Sequence, residues 1–557
     1  MTEVEAALGR VQAQLGPQDF ELFRRLANTL AMVTAIMQSQ RAMVSRLRRL
    51  FGLDSSERSQ RVLGDDAQGT TNKDEPVGAD GDGCTDDAHS ELTALEQDEP
   101  CEHKGHGRLP ASMYQSAAHI AVPHQRLSIG DGCPACKRGT LYELGEPAQF
   151  LRVHGQPLLA ATCWDCQRLR CSGCGRVHTA KAPAQAVGPK FDESAVAIIA
   201  LCRYGMGLPH NRLAHMQQHM KLPIPASTQW DVIHDNAPAF EPVFAELEQQ
   251  AAQGDTLHDD DSYARVLAFM GERRAELLRD GELPDPERVG LYTTAILSLR
   301  DTLPILLFYT GRKYAGENLA ALLSQRDEQL EPPVLMADGL ESRNEPEGHA
   351  VIGANCNAHG RRNFVEQLAN FPRECRHVLE QLREIYRVEA LSKQQRLSPQ
   401  ERLLLHQQHS EPVMTALKAR MEQELADKRV EPNSGLGKAY KYMLKRWDKL
   451  TLFLRKAGAP LDNNACERAL KLAIRHRRNS LFYRSERGAE IGDMFMSLIY
   501  TAELRGENPF EYLTAVLQNE KAAAQCAADW LPWTYRATLA RMEQRAGPDA
   551  RASSAAA

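Results

Sequence analysis

The sequence predicts a multidomain α+β protein, and three observations carry that prediction. The chain has 557 residues, too many for one hydrophobic core, so three or more folding units are expected. Six of its 13 cysteines form three Cys-x-x-Cys pairs between Cys133 and Cys174, a spacing that reads as metal binding and not as disulfides. From residue 255 onward, apolar runs of strand type alternate with helical periodicity, and helical segments flank them on both sides.

Residues 1–53 are predicted as a coiled-coil helix. Phe23, Leu26, Leu30, Val33, Met37, Gln40, Val44, Leu47 and Phe51 are spaced alternately three and four apart, a seam with one polar break that favours self-association into a dimer or higher oligomer. The competing reading is an amphipathic helix packed on its own body. Residues 54–108, almost devoid of large apolar side chains, are expected to be an acidic disordered linker. Residues 64–103 hold 13 Asp or Glu and one Lys, a net of −12 in a chain of −6, which leaves +6 on a mildly basic body. No apolar run approaches the ~20 residues of a membrane span, and the N-terminus lacks a basic stretch followed by an apolar one, so a soluble intracellular protein without a membrane partner is expected.

Residues 109–185 are the cysteine module. Two Cys-x-x-Cys turns facing each other supply four thiolates for a closed, structural Zn²⁺ site, a zinc ribbon. Cys133 and Cys136 form the first turn. The second is Cys163 with Cys166 or Cys171 with Cys174, and the turn Cys171-Ser-Gly-Cys174-Gly favours the latter. Residues 186–253 are helical. Asp192 is placed to cap a helix reaching about Tyr204, Gly205 to Pro209 break it, and Ser227 or Thr228 starts a third helix. A short helix, a turn and a capped helix are helix-turn-helix-like, with Thr228 and Gln229 as candidate DNA contacts, or are an ordinary three-helix packing unit.

The α/β core falls in two parts, residues 254–361 and 459–520, with an all-helical insertion over 362–458 and a C-terminal tail over 521–557. Strands are predicted at 263–270, 289–299, 303–310, 334–337 and 350–353, with helices at 315–326 and 463–476. Three acidic positions stand out. Asp259, Asp260 and Asp261 lead into the first strand, Asp338 ends an apolar strand before Gly339, and Glu467 lies on a helix that Asn463 or Asn464 can cap. Three successive acids at a strand are costly unless a cation is present. Carboxylates are the ligands of hard cations, and two Mg²⁺ or Mn²⁺ ions about 3.5–4 Å apart suit in-line attack on phosphodiesters. An acid on a first strand, one ending a neighbouring strand and one on a later helix is the order found in RNase H-like nucleases.

Basic residues follow. Arg361 and Arg362 neighbour His359, Arg477 and Arg478 follow Glu467, and Lys438, Lys441, Lys445, Arg446 and Lys449 form a candidate phosphate track. Cys356-x-x-His359 is a metal pair or, more in keeping with a lone pair, structural.

On these residues the chain resembles the transposases of insertion-sequence family sixty-six, a branch of the DDE transposases. The matching stretches include Tyr204 to Leu213, Thr228-Gln229-Trp230, Phe308 to Arg312, Gly316 to Leu319, Cys356 to Phe364, and Pro460 to Asn464 with Glu467-Arg468. The resemblance implies an RNase H-like catalytic core, with Asp260, Asp338 and Glu467 as the catalytic carboxylates. It implies binding of inverted-repeat element ends, DNA cleavage and strand transfer, two small accessory proteins of the same element, and a place on the nucleoid in the bacterial cytoplasm. Ser262 and Tyr263 stand where the family has Thr then Pro, and Asp259 leaves the register of the first carboxylate open by one residue. The competing functions are a non-catalytic DNA-binding derivative and a metal nuclease that joins nothing.

Overall fold

The computed structural model describes residues 126–134, 137–142, 158–170, 172, 174, 177–283, 285–300, 303–338 and 346–546. The predicted coiled coil and acidic linker, Cys136 and Cys171 lie outside them. The described residues fall into two compact units, one reaching Ala186 and including His215–Ile224, the other comprising Val187–Ala214 and everything from Pro225.

In the first unit, β1 (Arg168–Arg170) and β2 (Val177–Thr179) form an antiparallel ribbon in which Arg168 faces Thr179. Cys174 lies between the two strands. Cys133 sits in a second tight turn, where its N–H donates to Gly139 O at 2.8 Å and its carbonyl accepts from Lys137 N at 2.9 Å.

In sequence order the helices α1 (Glu193–Ala200), α2 (His210–His219), α3 (Ala226–Asn236) and α4 (Glu241–Ala252) follow. Asp192 caps α1 as expected, accepting from Ala195 N at 2.9 Å, and a π-helical turn over Leu201–Gly205 extends it. The third helix departs from expectation. It starts at Ala226, with Pro225 at the cap position, so neither Ser227 nor Thr228 caps it.

The core is a five-stranded sheet. Its strands are β3 (Thr256–Tyr263), β4 (Tyr292–Arg300), β5 (Leu303–Gly311), β6 (Val334–Ala337) and β7 (Ile352–Asn355), with α5 (Gly271–Arg279) after β3 and α6 (Ala315–Leu323) after β5. The spatial order is β5-β4-β3-β6-β7, antiparallel across the first three strands and parallel from β3 to β6 and β6 to β7. Strand β3 lies seven residues earlier than predicted. The run Thr256-Leu-His-Asp-Asp-Asp-Ser-Tyr263 carries too much charge to read as a central strand, yet it pairs on both edges and its first four residues are buried. Residues 267–269, expected in that strand, are a 3₁₀ turn.

Two edges of this sheet are covered by helices that come later in the chain. From β7 the chain enters the insertion: α7 (Asn357–Gln367), α8 (Pro372–Gln394), α9 (Pro399–His409), α10 (Glu411–Ala426), α11 (Gly435–Lys445) and α12 (Trp447–Leu450). Its apolar core, including Phe364, Leu379, Met421, Tyr440 and Phe453, is continuous with Val334, Met336 and Ala354 of β6 and β7. Glu389 ties α8 to α9, with Arg402 Nε at 2.8 Å and His406 Nε2 at 2.9 Å, and these partners hold its carboxyl down at about 2 against the opposing effect of burial.

After the insertion come α13 (Asn464–Ser480) and α14 (Glu486–Leu504). Helix α14 lies along the edge strand β5 and takes up its outward N–H groups with side chains. Thr501 Oγ1 accepts from Leu306 N at 3.1 Å, Ser497 Oγ from Phe308 N at 2.9 Å, and Asp493 from Thr310 N. Acceptors spaced four apart on a helix meet amides spaced two apart on a strand, so the edge is closed to further strand pairing. Helix α15 (Pro509–Gln518) lies in the second part of the expected core; in the expected tail, 521–557, the described residues up to Ala546 are folded, with α16 (Glu520–Gln525) and α17 (Tyr535–Ala546), and Trp530 and Tyr535 are buried. Among the described residues no helix is long and apolar enough to cross a membrane.

Thr501→Val keeps the shape and removes the acceptor, leaving a buried β5 amide unpaired. Urea denaturation is expected to show a loss of about 1–3 kcal/mol; unchanged stability would mean that the helix does not satisfy the edge strand.

Candidate active site

The pleat of β3 sorts its polar residues onto two faces. His258, Asp260 and Ser262 point toward α13: His258 Nδ1 meets Asn463 Oδ1 at 3.0 Å, and Ser262 Oγ accepts from Arg477 Nη1 at 3.0 Å. Asp261 turns the other way. Its carboxylate accepts from Thr294 Oγ1 at 2.6 Å and from Ala315 N, in the first turn of α6, at 3.1 Å. The face shared with α13 therefore belongs to Asp260 and not to Asp259.

Asp338 directly follows β6. The parallel register pairs His258 with Met336. Asp260 and Asp338 each come two residues after this pair, and the Asp338 charge acts on Asp260. Glu467 comes from the first turn of α13. The three carboxylates are near enough to act on one another: Asp260 is pushed up to about 7, chiefly by burial and then by the charges of Glu467 and Asp338. Glu467 Oε1 is shut off from solvent without a hydrogen-bond partner, and so is His359 Nδ1, 3.5 Å away. Repelling carboxylates, all oxygen donors and partly exposed, with an orphaned oxygen among them, fit a hard divalent cation. On the reverse face, Asp259 is fully buried and neither of its oxygens meets a donor from another residue. Burial, and then the neighbouring charges of Asp261, Asp260 and Asp338, raise its carboxyl well above the usual range.

Cys356 stands at the start of α7, and its sulfur, His359 Nδ1 and a Glu467 oxygen lie within 4.8 Å of one another. Burial pushes the thiol up to about 12, so it is neutral. Its sulfur accepts the N–H of Asn463 at 3.2 Å. The Cys356 sulfur thus has a packing role at the start of α13.

The basic candidates divide. Lys438, Lys441 and Lys445 form an exposed row on α11, and Arg362 and Arg478 are exposed as well. Arg361 is half-buried. Arg477 is occupied at the end of β3, reaching Ser262 Oγ and the Tyr263 carbonyl. Gln229 corrects an expectation: it is 0 % exposed and its Oε1 lies 3.1 Å from His210 Nδ1, which leaves it no surface for DNA, while Thr228 beside it is half-buried. Of the zinc candidates, Cys133 and Cys174 lie in turns, and Cys163 is 3.7 Å from Asp165 Oδ1.

Sequence reading did not anticipate the roles of Tyr442, whose hydroxyl donates to the Asp338 carbonyl at 3.2 Å, or of the Asn463 side chain. No local pattern marks either, because both partners are distant in sequence.

A model of the family described as Transposase IS66 family matches residues 189–491, more than half of the chain. Among curated relatives, the uncharacterized protein y4jD of Sinorhizobium fredii (strain NBRC 101917 / NGR234) is 34 % identical over 33 % of this chain and 36 % of its own length. The uncharacterized protein y4hP of the same organism is 26 % identical over 66 % of this chain and 67 % of its own. The chain thus spans about a third of the first and two thirds of the second.

The raised Asp260 carboxyl has a consequence for stability. Its folded value of about 7 exceeds the ordinary 3.8, so it destabilises the metal-free fold by an amount that is absent at low pH, grows between these values and is constant above about 7. Asp260→Asn is expected to melt several degrees higher than wild type at pH 8 without metal, with the gap closing toward pH 4. Mg²⁺ should raise the wild-type melting temperature and leave that of the variant unchanged. Identical melting curves across this range would show that the carboxylates do not act on one another.

Proposed function

Because the chain belongs to the IS66 family of transposases, we propose that it is a DDE-type DNA transposase with an RNase H-like core, whose catalytic carboxylates are Asp260, Asp338 and Glu467. Family membership implies a DNA-processing enzyme. The observation that carries the finer reading is the convergence of three repelling carboxylates from β3, the end of β6 and α13 on one face of a sheet ordered β5-β4-β3-β6-β7. These carboxylates would hold two Mg²⁺ or Mn²⁺ ions, which when bound activate the attacking oxygen and stabilise the leaving one.

The reaction we assign is two phosphoryl transfers at the element ends. In the first, the oxygen of a water bonds to phosphorus and the bond to the 3′-oxygen breaks, leaving a 3′-hydroxyl and a 5′-phosphate. In the second, that 3′-hydroxyl bonds to a phosphorus of target DNA, whose own 3′-oxygen leaves. The protein's share is placement: Asp260 lies on the inner strand β3, Asp338 directly follows the inner strand β6, and Glu467 is brought in by a helix packed on the sheet. Lys438, Lys441, Lys445, Arg362 and Arg478 are exposed and suit contacts with backbone phosphates, which position DNA without reading its sequence. Cys133, Cys136, Cys171 and Cys174 would close a structural Zn²⁺ site on the two turns of the small unit.

Asp338→Asn is expected to bind element-end DNA like wild type while cleaving it at least a thousandfold more slowly, a barrier increase of about 4 kcal/mol. Cleavage of a plasmid carrying the ends, in Mg²⁺ or Mn²⁺, measures this; wild-type rates in the variant would remove Asp338 from the mechanism. Strand-transfer products with a second DNA separate a transposase from a nuclease. Metal analysis of the purified protein should find about one zinc per chain, and Cys133→Ser should lose it; zinc at the same level in that variant would exclude Cys133 as a ligand.

A further inference from the structure

We propose that Asn463 is a positioning residue that sets the separation of Asp260 and Glu467, and through it the affinity of the site for divalent metal. The proposal rests on the metal-binding reading given above. Asn463 stands at the cap position of α13, yet its side chain does not cap the helix. The cap-like bonds come from Asp462, which accepts Asn464 N at 3.1 Å and Asn464 Nδ2 at 3.0 Å. The Asn463 amide is thereby released to reach across to the sheet.

Every polar group of Asn463 is used. Oδ1 meets His258 Nδ1 at 3.0 Å, and Nδ2 donates to the Asp259 carbonyl at 2.8 Å. The backbone N–H donates to Cys356 Sγ at 3.2 Å, and the backbone carbonyl accepts the N–H of Glu467 at 3.1 Å. The residue is 0 % exposed. His258 and Asp259 are the two residues before Asp260 on β3, so the amide grips the strand immediately ahead of the first carboxylate. Its own carbonyl starts the helical turn that carries the third. Cys356 adds the junction of β7 and α7. One buried side chain thus joins the elements that bear two of the three carboxylates. The amide is required for this: one end must accept from a ring N–H while the other donates to a carbonyl. Residues that orient metal ligands from behind in this way typically contribute 10- to 100-fold in metal affinity.

The decisive substitution is Asn463→Asp. It preserves shape and the acceptor for His258, removes the donor to the Asp259 carbonyl, and adds a negative charge. Charge alone would tighten cation binding, whereas loss of the clamp weakens it, so the two accounts differ in sign. Asn463→Leu, of similar size without either bond, provides a second variant free of added charge. Mn²⁺ binding to the full chain, followed by electron paramagnetic resonance, reports both the number of sites and their dissociation constant, and the sites absent from Glu467→Gln define those concerned. A merely structural role would reduce the number of sites at unchanged affinity. The proposal expects the full number of sites with a dissociation constant raised tenfold or more in both variants. Unchanged or tighter binding in Asn463→Asp, or fewer sites of wild-type affinity in both variants, overturns it while leaving the carboxylate assignment standing. Absence of any Glu467-dependent Mn²⁺ binding in wild type overturns the carboxylate assignment and the clamp together.

Discussion

Carboxylates that repel one another have to be held together by bonds in which they take no part. This constraint organises the core. Asp260, Asp338 and Glu467 oppose one another in a half-buried setting, where desolvation adds to the repulsion. Around them the backbone is pinned from outside: Tyr442 holds the Asp338 carbonyl, Arg477 holds the end of β3, Cys466 donates to the carbonyl of Ala295 on β4 at 3.3 Å, and Asn463 spans strand and helix. None of these bonds involves a carboxylate oxygen of the three; Asp260 Oδ1 accepts only from within its own strand, from Asp261 N at 2.9 Å, among the bonds described.

The same constraint accounts for the long interval between Asp338 and Glu467. The insertion is no loose excursion, since its apolar core merges with β6 and β7 and its α11 supplies Tyr442 to the site. Asn357, at the start of α7, donates to the carbonyls of Leu450 at 2.9 Å and Leu461 at 3.0 Å, fixing the point where the chain returns to the sheet. Two residues after Leu461 comes Asn463. The insertion therefore delivers α13 at a defined height against β3, and Glu467 with it. On the far side α14 closes the β5 edge, so the sheet that carries Asp260 and Asp338 is bounded at both ends.

Much of this was legible along the chain. The apolar run Val334–Ala337 ending at Asp338 is short, aliphatic and bounded, which suits a central parallel strand, and it lies where its composition places it. Asp260 stands out because successive acids are costly in a strand unless something uses them; Glu467, in an early helical turn that favours an acid, stands out only by its order after the other two. Asp192 capping α1 is a local matter of one side chain and one amide, and local matters are readable. The first strand was misread for the complementary reason. Charge in Thr256–Tyr263 argues for a turn, and only pairing with β4 and β6 on both edges makes it a strand.

The residue types alone determined that three carboxylates, a cysteine module and an α/β core would be present, because composition and short-range spacing act through neighbouring atoms. The tertiary structure decided which of three adjacent aspartates faces α13, since that depends on the strand's pleat relative to a helix some 200 residues away. It decided that Gln229 is buried against His210 instead of exposed, that residues 521–546 pack instead of trailing, and that Asn463 bonds to a strand instead of capping its own helix. Each outcome turns on a partner remote in sequence. A side chain's bonding capacity is written in its chemistry, but the choice among possible partners is made only when the chain has brought them together.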